Sequence, residues 1–340
     1  MTGDGWLRCD PDGLKLKPQG VRRLIVTLDY AWEGQRQQLD FPLAIFGHGE
    51  GPTMLLTGGT HGDELEGQAV AWHLIRSLSD ADITGRLIIV PTHNRPACLA
   101  CRRRSPIDGL DINRIYPGGD EAGPSHAIAR FLAGRIMPSC DAYLDLHSGG
   151  SAHEFVLSSN LQGRPGTATF ERDLPGLLAM DAPYAIVFDE DESDSMPHRG
   201  TTEAFFRGLG RPAFSSEYGG GGRLTALSFE TALRGTINLL CHLGVLSGEA
   251  IRPDESRSQL LFMRGGAQYV PAPAKGLFLP RVALGETVSK GSLLGEIFPD
   301  EPASVVAELR SAVEGIVVAL ATRGPEVGEP AVMIAEPLPP

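Results

Sequence analysis

The sequence has no run of 18 consecutive apolar residues, so nothing in it predicts a helix that crosses a membrane. Its opening segment, MTGDGWLRCDPDG, lacks a basic stretch followed by an apolar one, and export is not expected. Cysteine is scarce. The five residues, at 9, 98, 101, 140 and 241, form an odd and scattered set that reads as buried thiols of a reducing compartment rather than as a disulfide framework. A cytoplasmic location is therefore expected. Positive charge is also short: 30 Lys and Arg against 42 Asp and Glu leave a net charge of -12. The one basic run is Arg102-Arg103-Arg104, too short to release phosphate counterions along a nucleic acid, and that class of partner is excluded. Long biased tracts are missing too. With 42% apolar and 21% charged residues, the composition is that of a folded globular protein.

A chain of 340 residues predicts one large α/β domain and a smaller companion. Residues 22–30 (RRLIVTLDY) and 39–46 (LDFPLAIF) read as strands leading into the main sheet. Further strands are expected at 53–58, 86–92, 141–147, 184–188 and 211–217, with helices at 66–78, 125–137, in TTEAFFRGLG and over 228–246. This alternation predicts a mixed, mainly parallel sheet covered by helices. The polar stretch 247–258 reads as a linker, which sets the expected domains at 1–250 and 259–340. Beyond it, residues 275–296 can be laid over 314–335 without gaps, Gly276 on Gly315, Leu277 on Ile316, Gly285 on Gly324 and Val288 on Val327. A two-fold repeat of short strands and glycine turns predicts a small β-domain. It resembles the two halves of the biotinyl/lipoyl barrel-sandwich, but no lysine occurs from Gly291 onward, so a swinging-arm carrier is excluded. Packing against the larger domain or a part in assembly remains. The oligomeric state stays open between a single chain and a homo-oligomer.

Chemistry concentrates where predicted strands end. In GGTHGDELEGQ, His61 and Glu64 follow a strand and are framed by glycines that permit a sharp turn. His147, in DLHSGG, ends another strand. Ligands collect at the carboxyl ends of strands in open α/β sheets. Two imidazoles and a carboxylate are the ligand set of a catalytic zinc with one position left for water, although the same donors accept cobalt or manganese. An isolated H-x-x-E is common by chance; the glycine frame and the second strand-end histidine give it weight. Zinc-bound water needs a base, and Glu217, before four glycines in SSEYGGGG, points to the same crevice. Asn113 and Arg114, in DGLDINRIYPGG, suit a substrate carboxylate, and CRRRSPIDG offers three arginines of which one can polarise a scissile carbonyl.

These motifs, H-x-x-E, D-x-N-R with its preceding Arg, D-L-H and S-E-Y-G, occur in the order seen in the succinylglutamate desuccinylase/aspartoacylase family, which has a zinc-carboxypeptidase-like fold. The resemblance spans residues 20–245, and the terminal β-domain also looks like that of family members. It implies one zinc per chain held by His61, Glu64 and His147, Glu217 as general base and acid, Asn113 and Arg114 on the substrate carboxylate, and Arg103, in preference to Arg104, on the oxyanion. The implied substrate is a small N-acyl amino acid. SPIDG and the long C-terminal domain look most like the branch that deacetylates Nα-acetyl-2,4-diaminobutyrate in ectoine breakdown, whereas DINR and IYPGG depart from that branch's GNLNR and SFPG. The rival readings are a metallocarboxypeptidase or peptidoglycan amidase, and a non-catalytic protein on the same fold, for which Glu217 would be superfluous.

Several residues carry weaker expectations. The acidic run 189–194, beside His198-Arg199-Gly200-Thr201, reads as a solvated loop, with attraction of a substrate amine as the alternative. Asp63 and Asp145 flank ligands and are candidates to orient them. His153 either touches substrate or caps a turn. His48, His93 and His126 read as structural, and Cys98 and Cys101 as helix packing rather than a redox or metal pair.

Overall fold

In the computed structural model, residues 5–189, 200–250, 258–299 and 306–338 are described. Strand β1 (Trp6–Cys9) lies parallel to β2 (Gly20–Trp32), which returns as β3 (Gln35–Gly47). The turn between β2 and β3 is two residues long, Glu33 and Gly34, both with positive φ, the geometry that matches the twist of a hairpin. Next come β4 (Thr53–Gly58), α1 (Leu65–Ser77), β5 (Arg86–Val90), α2 (Arg95–Ala100), α3 (Pro124–Phe131), β6 (Ala142–His147) and β7 (His153–Gln162). Then follow α4 (Ala168–Ala179), β8 (Tyr184–Phe188), α5 (Thr202–Gly208), β9 (Ala213–Gly220) and α6 (Ala226–His242). The remaining strands are β10 (Gln259–Met263), β11 (Tyr269–Pro271), β12 (Gly276–Pro280), β13 (Thr287–Val288), β14 (Leu293–Pro299), β15 (Ala307–Arg310), β16 (Gly315–Ala321) and β17 (Pro330–Pro337).

The fold is mixed α/β, with helices on the main sheet and extra strands at the C-terminal end. The sheet runs β1-β2-β3-β5-β4-β6-β9-β7-β8-β10-β17-β16-β13. Strands β5, β4, β6 and β9 are mutually parallel, while β3 joins β5 and β7 joins β9 antiparallel. Every residue of β4, β5 and β6 is buried, as strands covered on both faces must be. Alternation then sorts side chains to two cores. Met54, Leu56, Leu144 and Leu146 meet Val70, Ala71, Leu74 and Ile75 of α1 on one face. Leu55, Ile88 and Tyr143 meet Ile128, Leu132 and the hairpin residues Val26 and Leu43 on the other.

Three expectations change. The helix predicted over 125–137 ends at Phe131 and continues as a wide turn through Ile136 and a tight one at Met137–Ser139, where Pro138 cannot supply an amide hydrogen. Strand β7 and helix α4 were not anticipated; β7 buries Ser158, Ser159 and Asn160, which interrupts the apolar alternation a strand normally shows. The C-terminal repeat holds only in part: Gly276 and Gly315 both open strands, but Val288 is buried in β13 whereas Val327 lies in a turn, 65% exposed. The halves also pair differently, β12 with β14 and β15 in a separate small sheet, and β16 with β17 and β7 in the main one. Among the described residues no helix is long and apolar enough to cross a membrane. Replacing Leu144 by Ala, which empties fully buried volume between β6 and α1, is expected to lower the unfolding free energy by about 2–5 kcal/mol, read from the midpoint of a urea melt.

Candidate active site

The parallel register brings the chemistry together before any loop is considered. Gly58 of β4 pairs with Leu146 of β6, and His147 pairs with Glu217 of β9, so three strand ends lie side by side at one rim of the sheet. Beyond β4 the chain turns through Gly59, at φ +75°. Gly62 then packs against the middle of α2 so closely that an added Cβ would sit 2.0 Å from the Ala97 carbonyl carbon. That tight loop delivers His61 and Glu64.

His61 Nδ1 lies 2.6 Å from Glu64 Oε1, and His147 Nδ1 lies 2.8 Å from Glu64 Oε2. Behind each ring stands a carboxylate: Asp111 Oδ1 is 3.1 Å from His61 Nε2, and Asp145 Oδ2 is 3.0 Å from His147 Nε2. Carboxylates in that position fix the tautomer in which Nδ1 is free to bind a metal. All three ligand candidates are buried, and their donor atoms lie within 4.8 Å of one another. Burial alone would push the Glu64 carboxyl up, but the two imidazoles outweigh it and hold it down at about 2. Glu64, Asp111, Asp145 and Glu203 bring four buried carboxylates to this spot, and a divalent cation would offset that charge. The donor set thus fits a metal of the zinc type.

Asp145 is fully buried and accepts from the hydroxyls of Thr57 (2.6 Å), Thr60 (2.8 Å) and Thr202 (3.0 Å). Burial would raise its carboxyl, yet the His147 charge and these donors keep it well below the usual carboxylate range. Thr60 gives its one proton to Asp145, so His93 Nδ1 must donate to Thr60 (2.7 Å) and the Tyr116 hydroxyl to His93 Nε2 (2.6 Å). Burial depresses His93 to about 4, which keeps it neutral in that chain. Asp145 therefore stands behind the ligand candidate His147, in the place from which it was expected to orient it; Asp63 instead accepts from the backbone and hydroxyl of Ser151 (2.9 and 2.7 Å) and ties two loops.

The D-x-N-R segment forms one turn, Ile112–Arg114, capped by Asp111, which accepts from the Asn113 amide at 3.0 Å. Asp111 also holds Arg103, whose Nε is 3.2 Å and Nη2 3.1 Å from Oδ2. Arg103 Nη1 lies 3.5 Å from Glu64 Oε1, and its side chain is 42% exposed, so the guanidinium stands beside the ligand candidates with one side to solvent; Arg104 is exposed. Asn113 is buried and its Oδ1 accepts from the Thr202 amide at 2.8 Å; the exposed Arg114 donates to the Asn113 carbonyl at 2.6 Å. Glu217 has an enclosed Oε2 without a hydrogen-bond partner. Burial, then the Glu64 charge, raise its carboxyl to about 8, a shift that a cation beside it would oppose.

Other expectations fall elsewhere. His153 Nε2 bonds the Pro330 carbonyl at 2.8 Å, so it faces β17. His126 accepts from the Gly119 amide and His48 is exposed. Cys98 is buried with its thiol on the Gly59 carbonyl, and Cys101 is exposed with its thiol 3.8 Å from the Cys98 carbonyl. Residues 190–199, which include most of the acidic run together with His198 and Arg199, lie outside the described residues. Two carboxylates of the site, and the threonines around Asp145, were not singled out from the sequence. Asp111 was present in the quoted D-x-N-R motif. Glu203, 3.5 Å from His147 Nε2, had no signal of its own.

The family description "Succinylglutamate desuccinylase/Aspartoacylase catalytic domain" matches residues 50–243. The chain is 36% identical over 298 residues to the N-alpha-acetyl-L-2,4-diaminobutyric acid deacetylase of Halomonas elongata, covering 87% of this chain and 85% of that protein. Among solved structures it is similar to a succinylglutamate desuccinylase/aspartoacylase from Rhodobacter sphaeroides, at 30% identity and a TM-score of 0.87 over 96% of this chain and 98% of that one. A product-bound ectoine utilization protein from Ruegeria pomeroyi gives 32% identity and a TM-score of 0.86 over 95% and 98% of the two chains.

Replacing Asp145 by Asn is expected to weaken divalent-metal binding by about 10–100-fold, because the carboxylate behind His147 is lost. Competition with a chromophoric chelator reads this; undiminished affinity would contradict the geometry's implication.

Proposed function

The chain belongs to the succinylglutamate desuccinylase/aspartoacylase family, and on that footing we propose that it is a zinc-dependent deacylase of a small N-acyl amino acid, with Nα-acetyl-L-2,4-diaminobutyrate as the substrate. The observation that carries the reading is the convergence of His61, Glu64 and His147 with Glu217 held beside His147 in the strand register. The identity to the Halomonas elongata deacetylase supports the choice of acyl amino acid.

When bound by His61, Glu64 and His147, zinc supplies a Lewis acid that polarises the amide carbonyl and makes water acidic. Glu217 takes the proton of the attacking water and returns it to the leaving amine, and its enclosed, unpaired Oε2 leaves an oxygen free for that traffic. The Arg103 guanidinium, anchored by Asp111, offers hydrogen bonds to the oxyanion as the carbonyl becomes tetrahedral. Asn113 and Arg114 hold the substrate carboxylate, Arg114 through the fork geometry that suits such anions. We further divide the chain into a catalytic unit, 1–250, and a supporting β-unit of barrel-sandwich type, 259–340. The latter rests on a core of its own around Leu294, Ile297, Val317 and Val332. Five free cysteines, of which Cys98 and Cys140 are buried, support a cytoplasmic setting.

Release of free amine from a panel of N-acetyl and N-succinyl amino acids, including Nα-acetyl-2,4-diaminobutyrate, tests the proposal. Chelator-sensitive turnover of the acetylated diamino acid is expected. Cleavage of peptides with no activity on the panel would favour the carboxypeptidase or amidase reading. Glu217→Gln is expected to lower kcat by about 10²-fold or more while the protein keeps its metal, and a mutant with near-parental turnover would end Glu217's part as base.

A further inference from the structure

His147 faces a second carboxylate that neither the ligand set nor the catalytic groups use. Glu203 is buried at the start of α5, and its Oε1 lies 3.5 Å from His147 Nε2, in addition to Asp145 Oδ2 at 3.0 Å. Nε2 is completely enclosed, and its N–H is aligned with neither oxygen as a single hydrogen bond requires. Nε2 thus faces two carboxylates at once. Next along the chain, the Thr202 hydroxyl lies 2.9 Å from Glu203 Oε2, 3.0 Å from Asp145 Oδ2 and 3.1 Å from Asn113 Oδ1, while its amide also donates to Asn113. Gly200 closes the clasp: a Cβ there would sit 2.3 Å from the Arg114 carbonyl oxygen, and the Gly200 carbonyl accepts from the Tyr116 amide. Residues 200–203 therefore grip the turn that carries Asn113 and Arg114 and reach the ligand His147 from the same four-residue segment.

We propose that Glu203 is a positioning residue: together with Asp145 it holds the Nε2–H of His147, turning Nδ1 toward the metal, while the backbone amide of the adjoining Thr202 ties Asn113 to the same segment. A charge-assisted N–H shared by two carboxylates makes the imidazole a stronger and better fixed donor at its other nitrogen. The three groups His147, Asp145 and Glu203 also have the composition of a second metal site. Against it, a neutral imidazole that offers Nδ1 to a metal carries its proton on Nε2 and has no lone pair there for a second ion. The inference rests on the ligand assignment proposed above.

The test is metal binding without substrate: the zinc dissociation constant by chelator competition, the metal content per chain, and the visible spectrum of the cobalt-loaded protein. Glu203→Gln is expected to bind zinc about 10–100-fold more weakly and to shift the cobalt bands, with far-UV circular dichroism unchanged and one metal per parental chain. If Glu203→Gln matches the parent in affinity and spectrum while His61→Ala loses the metal, the positioning role is overturned and the ligand assignment stands. If His61→Ala also retains the metal, both are overturned. Two ions per parental chain, falling to one in Glu203→Gln, would make Glu203 a ligand and overturn the proposal. Should Glu203→Gln not fold, Glu203→Asp, which withdraws the carboxylate by one methylene, is held to the same expectations and the same overturning results.

Discussion

A carboxylate with no access to water sits beneath the candidate metal centre, and most of the site leans on it. Asp145 collects protons from Thr57 on β4, from Thr60 in the loop that follows β4, and from Thr202 at the start of α5, while His147 Nε2 stands 3.0 Å away. Isolated burial of such a charge is very costly; satisfied from several sides, it instead ties those elements to one point. The hydroxyl chain from Tyr143 through Thr57, and the one from Tyr116 through His93 and Thr60, both end on it. The site is thus held from below by a buried hydrogen-bonded framework.

The legible part of the site is the part carried by strand ends. A short apolar run that stops at glycine and then spells His-x-x-Glu, or ends in Asp-Leu-His, announces both a strand and its upper rim, so His61, Glu64 and His147 could be found without coordinates. Glu217 was legible for the same reason, four glycines marking where β9 leaves the sheet. Asp111 was half legible, inside a motif whose other members drew attention. Glu203 was not, because it lies on a short helix fourteen positions before Glu217 and reaches His147 only through the packing of α5 on the sheet. The fold shows the same division. Strands with uninterrupted apolar residues were placed within a few positions, whereas β7 hid behind three buried polar residues whose partners are tertiary, and the internal repeat suggested more symmetry than Val327 retains.

The C-terminal strands are joined to the rest of the chain by sheet pairing and loop contacts. Strand β10 extends the main sheet in parallel with β8, β16 pairs with β7 at Ala319 to Ala321, and His153 bonds the carbonyl of Pro330. The Thr322 amide and hydroxyl bond the carbonyls of Ala152 and Ser151, in the loop that follows His147. That loop in turn meets the glycines after Glu217, through the Gly221 and Gly222 amides. The loop after His147 is therefore braced from the C-terminal side by the β7–β16 ladder and by the Thr322 amide and hydroxyl, and it in turn holds the glycines after Glu217.

This continuity bears on how the protein is cut, tagged or recombined. A fragment ending before Gln259 would keep every candidate ligand, yet leave β8 with a bare outer edge of unpaired amides and carbonyls where β10 had been. Open edges of that kind recruit other chains. A shortened fragment is thus a poor surrogate for the enzyme: its weakness would be self-association at the β8 rim rather than any missing catalytic group.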